Sequence, residues 1–100
     1  MGLKEKIQSL STVYHVDVIE NRRHLHTYPE LSFQEYETSK FIQQKLKEYD
    51  IPYQSGIAST GVVGLIEGKN PHSKCIALRA DIDALPIQEL NKVDYCSVNE

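Results

Sequence analysis

Ile76-Ala77-Leu78-Arg79-Ala80-Asp81-Ile82-Asp83-Ala84-Leu85-Pro86 is a short apolar run that ends in two acids one residue apart and is then stopped by a proline. Apolar runs of this length read as buried strands. Successive strand side chains point to opposite faces, which sets Ile76, Leu78, Ala80 and Ile82 on one face and Ala77, Arg79, Asp81 and Asp83 on the other. Two carboxylates are costly to bury unpaired, so a sheet that carries both to its carboxyl end calls for a cation there. That end is also where open α/β sheets bind ligands. The plainer alternative is that the acids mark an exit into solvent, with Arg79 as their local partner. The residues alone leave both readings open.

Working outward, Val62 to Glu67 reads as a second strand, joined to the Cys75 strand by Gly68-Lys69-Asn70-Pro71-His72-Ser73. So short a loop cannot hold a crossover helix, which makes the two strands antiparallel. Ile51 to Gln54 reads as a short edge strand, where Pro52 is tolerable, and Gly56 and Thr60-Gly61 are turn signals. Upstream, Leu3, Ile7, Leu10, Tyr14, Val18 and Leu25 recur at helical spacing and predict one amphipathic helix from Leu3 to His26. Pro29 stops it by pushing Tyr28 out of helical geometry. Ser32 and Glu35 have the spacing of a capping box, flanked by Leu31 and Tyr36 at staple positions. They open a second helix that ends at Asp50-Ile51-Pro52. The expected order is α-α-β-β-β.

A chain of 100 residues is enough for one modest domain. Its 40% hydrophobic and 25% charged residues are those of a globular chain rather than a disordered one. A net charge of −3 with scattered signs gives no footprint for nucleic acid. No stretch approaches the roughly 20 apolar residues that span a bilayer. Met1-Gly2-Leu3-Lys4-Glu5-Lys6 lacks the apolar core of a secretion signal. Cys75 and Cys96 are too few for a secreted disulfide framework. Cys75, at the head of the apolar strand, is expected to be a buried thiol. Together these features point to a cytoplasmic protein with neither nucleic acid nor membrane as a partner.

Other candidate residues divide between chemistry and structure. His24 and His26 stand two apart and do not share a helix face, so they cannot chelate one metal together. Near a helix carboxyl end, cationic His and Arg complement the dipole instead. Glu30 is expected to cap, or to pair with Arg22 or Arg23. Thr60-Gly61-Val62-Val63-Gly64 has two glycines but enters a strand rather than opening a helix, which excludes a phosphate loop. Gly61 is expected at positive φ, and Gly64 where another element packs closely.

Arg22-Arg23-His24-Leu25-His26-Thr27-Tyr28-Pro29-Glu30-Leu31-Ser32-Phe33-Gln34-Glu35, then Thr60 to Gly64, then Ala77 to Pro86, resemble in order and spacing the opening signatures of the M20 metallopeptidase superfamily. The nearest resemblance is to its aminoacylase/hippurate-hydrolase branch, amidohydrolases that cleave N-acyl amino acids. The resemblance runs from about Val18 onward. It implies a zinc-peptidase-like α/β catalytic domain, of which residues 1–100 would be the amino-terminal portion. The remainder of that domain and an inserted dimerisation or lid domain would lie outside this chain. It also implies a centre of two divalent metal ions (zinc, manganese, cobalt or nickel), a small N-acyl amino acid or peptide-like substrate, and a homo-oligomer. In that branch the metal ligands come from a Cys-Gly-His segment and the catalytic glutamate from a Glu-Glu pair, and neither occurs here. No metal ligand and no cofactor-binding residue is therefore assigned within this chain.

Asp83 fills the aspartate slot of the superfamily's His-x-Asp pattern. The resemblance implies that it accepts a hydrogen bond from a metal-bound imidazole. Asp81 stands where the wider superfamily has histidine, and a structural role beside Arg79 is the expectation for it. Two rival readings remain. One is a haloacid-dehalogenase-like phosphotransferase using Asp81 and Asp83, although that motif opens its domain and here roughly eighty residues precede it. The other is a non-catalytic α+β binding or assembly module. On the first reading the chain alone is inactive, and its unpaired strand edge and uncovered apolar face favour self-association. Zinc or manganese titrated into the 100-residue chain is then expected to reveal no tight stoichiometric site by calorimetry. A micromolar site abolished by changing His24 or His26 would contradict the ligand assignment.

Overall fold

The computed structural model describes residues 2–98; Met1, Asn99 and Glu100 lie outside the described residues. The chain forms two compact units, one made of the residues through Tyr28 together with those from Ile87 onward, the other of Pro29–Pro86.

The first unit is built on α1, Leu3–Thr27. No proline or glycine interrupts this stretch, and the Leu3/Ile7/Leu10/Tyr14/Val18 spacing runs along it. The helix ends one residue past the expected His26. Tyr28 leaves helical geometry at φ −118° and ψ 62°, and its amide donates to the His24 carbonyl at 3.2 Å. No residue of α1 is buried, and Leu3, Ile7, Leu10, Tyr14 and Val18 are all exposed. The 87–98 segment is fastened to the last turn. The Val98 amide donates to the Thr27 carbonyl at 2.9 Å. The Thr27 hydroxyl reaches both the Arg23 carbonyl at 2.8 Å and the Tyr95 carbonyl at 2.9 Å.

The second unit packs a helix against a two-stranded antiparallel sheet. The helix α2 covers Tyr36–Glu48, and the strands are β1, Tyr53–Ile57, and β2, Gly61–Gly64. The predicted capping box is not what opens α2. Ser32 lies in a turn, Glu35 is itself the residue before the helix, and no side chain at that position caps it. The Glu30 carboxylate, reaching in from outside, accepts from the Glu37 amide at 3.2 Å and the Thr38 amide at 2.6 Å. These are the second and third helical amides, the donors that an N-cap ordinarily satisfies. At the other end Asp50 takes φ 55°, its amide donates to Lys47 at 3.1 Å and the Ile51 amide donates to Leu46 at 2.9 Å. That is a Schellman close with aspartate at the left-handed position, and Pro52 follows it.

β1 and β2 pair Tyr53 with Gly64, Gln54 with Val63 and Ile57 with Gly61, with an irregularity between Gln54 and Ile57. The Leu65 amide extends the pairing to the Pro52 carbonyl at 2.9 Å. Here the expectation needs correction. Val62 to Glu67 was to pair with the Cys75 strand, but β2 pairs with β1. Residues 75–83 form no ladder, Ile76 and Leu78 are 84% and 97% exposed, and Cys75 is exposed rather than buried. Apolar alternation signals which residues a sheet would bury, not whether a neighbouring strand is at hand. Only Leu31 and Ala84 form a bridge, in parallel sense. Among the described residues no hydrophobic side chain is buried; the buried ones are Glu35, Thr38, Ser39 and Thr60.

Gly64 does lie under another element, for a Cβ there would stand 3.3 Å from Leu46 Cδ2. Gly61 does not take positive φ; the turn uses Ala58 and Ser59 for that, at 49° and 78°. Its constraint is contact, since an added Cβ would fall 2.6 Å from the Ile57 carbonyl oxygen. A backbone oxygen cannot swing aside as a leucine methyl can. Gly61→Ala is therefore expected to cost about 1–3 kcal/mol by urea denaturation. Gly56→Ala, at φ 74° in open space, should cost about 1 kcal/mol. Gly64→Ala should cost least of the three.

Candidate functional site

Within the Pro29–Pro86 unit an open cleft of about 320 Å³ is lined by Ser32 and Phe33, by Glu35 and Thr60, and by the extended Arg79–Asp83 segment. Asp81 and Asp83 are brought to this cleft together, and both are exposed. Arg79 Nε stands 3.3 Å from Asp81 Oδ1, the expected local pair. With side chains 91% and 74% exposed, it contributes little to stability.

The wall behind the two aspartates is a polar joint. Glu35 is 5% exposed, and its carboxylate accepts from the Phe33 amide at 2.6 Å and the Thr60 hydroxyl at 2.5 Å. Phe33 takes φ 64°, which turns its amide toward that carboxylate. The Thr60 bond is the main reason that the Glu35 carboxyl lies below its ordinary range, against an opposing effect of burial. Burial would raise the Glu30 carboxyl, but the Thr38 hydroxyl and the Thr38 and Glu37 amides outweigh it and hold it low. Glu30 thus caps α2, one of the two structural roles expected for it. The buried joint between Glu35 and Thr60 was missed in the sequence. Its partners are 25 residues apart, and the capping-box spacing gave Glu35 a different task.

The histidines lie elsewhere. Both sit in the last turn of α1, where basic residues complement the helix dipole. His26 Nε2 is 2.6 and 2.8 Å from the two carboxylate oxygens of Glu89. Its ring meets the Tyr95 ring edge-on at 5.8 Å, and the Arg23 guanidinium lies 4.4 Å from the centre of the Tyr95 ring. The hydrogen bond from His26 holds the Glu89 carboxyl low, whereas burial first and the Glu89 charge second push the Cys96 thiol up. Nothing in local spacing signals the contact of His26 with Glu89, 63 residues away.

No protein-family model matches the chain. Curated relatives do. An uncharacterised hydrolase of Staphylococcus epidermidis is 49% identical over 80 residues, 80% of this chain and 20% of that protein. An N-acyl-L-amino acid amidohydrolase of Geobacillus stearothermophilus is 43% identical over 96 residues, 96% of this chain and 26% of the relative. Among solved structures, the Bacillus subtilis YxeP protein, described as a dinuclear metal-binding peptidase of the M20 family, superposes with a TM-score of 0.81 at 43% identity. That match covers 89% of this chain and 25% of YxeP. The chain thus spans between a fifth and about a quarter of the length of the curated relatives it matches. Sequence and fold together make it an M20-family chain, corresponding to the amino-terminal part of that family's peptidase domain.

A dinuclear centre needs converging ligands. Among the described residues no three His, Cys, Asp or Glu side chains converge on a point that could hold a metal ion. Of the acids at the cleft, Asp81 faces Arg79 and Glu35 is engaged by Thr60 and Phe33. The described residues do not by themselves fit a metal pair. Among them no helix is long and apolar enough to cross a membrane.

Glu30, Glu35 and Glu89 all have folded-state values below the ordinary one of 4.5, so the unfolded chain binds more protons in acid. The stability they contribute is complete above pH 4.5 and is lost as pH falls through their lowered values. Melting temperature measured against pH should decline on that acid limb, and Glu35→Gln should make the decline shallower. An identical limb in the variant would show that Glu35 contributes nothing to it.

Proposed function

We propose that this chain is the amino-terminal portion of the catalytic domain of a metal-dependent amidohydrolase that hydrolyses N-acyl amino acids or related small amides. The observation that carries the reading is 43% identity to an N-acyl-L-amino acid amidohydrolase across 96% of the chain. The rest of that domain, and an inserted dimerisation or lid domain, lie outside these residues. The cofactor proposed is a pair of divalent ions (zinc, manganese, cobalt or nickel), with ligands supplied from outside this chain. The proposed setting is cytoplasmic, in a homo-oligomer.

Asp83 is the residue of this chain nearest the chemistry. In this reading it accepts the hydrogen bond of a ligand imidazole, which fixes the ring's tautomer and raises its basicity. Its exposure at the cleft leaves the carboxylate open to such a partner. Asp81 is engaged by Arg79 and shapes the segment rather than meeting the imidazole.

In the full-length protein, Asp83→Asn keeps shape and an acceptor oxygen but removes the charge. Turnover of an N-acetyl or N-benzoyl amino acid at saturating metal is expected to fall about 10–100-fold with little change in melting temperature. Asp81→Asn should lose less. Near-wild-type activity in Asp83→Asn would remove this role, and a larger loss in Asp81→Asn would exchange the two assignments.

A further inference from the structure

One residue touches both the start of α2 and the end of the aspartate segment. The Glu30 carbonyl accepts the Ala84 amide at 2.7 Å, the residue directly after Asp83, and this bond belongs to the parallel Leu31–Ala84 bridge. The Glu30 side chain takes three donors: the Thr38 hydroxyl and amide, each at 2.6 Å, and the Glu37 amide at 3.2 Å. Main chain and side chain of a single residue therefore join two elements that are otherwise remote in sequence. We infer that Glu30 is the positioning residue for Asp83, holding the aspartate segment in place from the amino end of α2. This inference rests on the amidohydrolase reading for its functional consequence, though not for the geometry.

The chemistry asks for a carboxylate. Three donors converge on two oxygens, and an ionised carboxyl is the side chain that offers only acceptors. Its negative charge also complements the positive end of the helix dipole. A glutamine would turn one oxygen into an amide that donates toward donors. The segment it holds has little else to fix it, since residues 75–83 join no ladder and Asp83 is exposed. A displacement of about 1 Å in a positioned group can cost on the order of 100-fold in rate. Loss of the Glu30 anchor is a displacement of this kind, delivered through the backbone one residue away.

Amide hydrogen exchange and turnover of the full-length, metal-loaded protein test this together. Glu30→Ala and the milder Glu30→Gln are compared with Glu35→Gln, which loosens the same unit through Phe33 and Thr60 instead. Exchange of the Ala84 amide should accelerate roughly fivefold or more in Glu30→Ala, the effect of losing a helix cap. It should accelerate less in Glu30→Gln and stay near wild type in Glu35→Gln. Turnover of an N-acetyl amino acid should fall in Glu30→Gln, and the Glu30→Gln/Asp83→Asn double variant should lose no more than Asp83→Asn alone. Groups that act as one unit are not additive. Losses that multiply, or Ala84 exchange that moves equally in the Glu35 and Glu30 variants, would overturn the inference. Should Glu30→Ala not fold, Glu30→Gln carries both readouts. A wild-type protein inert toward amides would sink the amidohydrolase reading, while Ala84 exchange would still decide whether Glu30 holds the segment.

Discussion

Two carboxylates stand at the amino end of α2, and the Pro29–Pro86 unit is organised around what they accept. Glu30 takes the orphan amides of the first helical turn, and Glu35 takes the Phe33 amide and the Thr60 hydroxyl of the β1–β2 turn. The two charges repel, and that repulsion works to raise the Glu35 carboxyl. The arrangement persists because each acid has more than one donor and the positive end of α2 favours both. Polar contacts of this kind are directional, so they define the relative places of a helix, a turn and an extended segment as apolar contact cannot. This matters here because the buried side chains described are Glu35, Thr38, Ser39 and Thr60, with no apolar side chain among them.

The same logic appears independently in the other unit. The last turn of α1 presents Arg23, His26 and Thr27 on neighbouring positions, and the 87–98 segment answers with Tyr95 and Glu89. Two histidines near a metallopeptidase motif invite assignment as metal ligands. The geometry gives His26 a carboxylate partner in the 87–98 segment. This cluster fastens the 87–98 segment to the last turn of α1.

Sequence alone determined the two helices and where each stops, while the start of α2 was misplaced at Ser32. Apolar spacing and an uninterrupted run between Gly2 and Pro29 suffice for α1, and Pro29 and Pro52 set its stop and that of α2 for local steric reasons. Close packing over Gly64 and the Arg79–Asp81 pair were legible because both follow from neighbours or from residue size. What only the tertiary structure decided are the contacts between residues far apart in the chain: Glu30 with Ala84, Glu35 with Thr60, and His26 with Glu89. It also decided strand pairing. The Ile76–Ile82 alternation has the pattern of a strand, yet a ladder needs a partner backbone; Ile76 and Leu78 stay exposed, and β2 found its partner in β1. Side-chain periodicity is written in the sequence; which backbone supplies the other half of each hydrogen bond is settled only when distant segments meet.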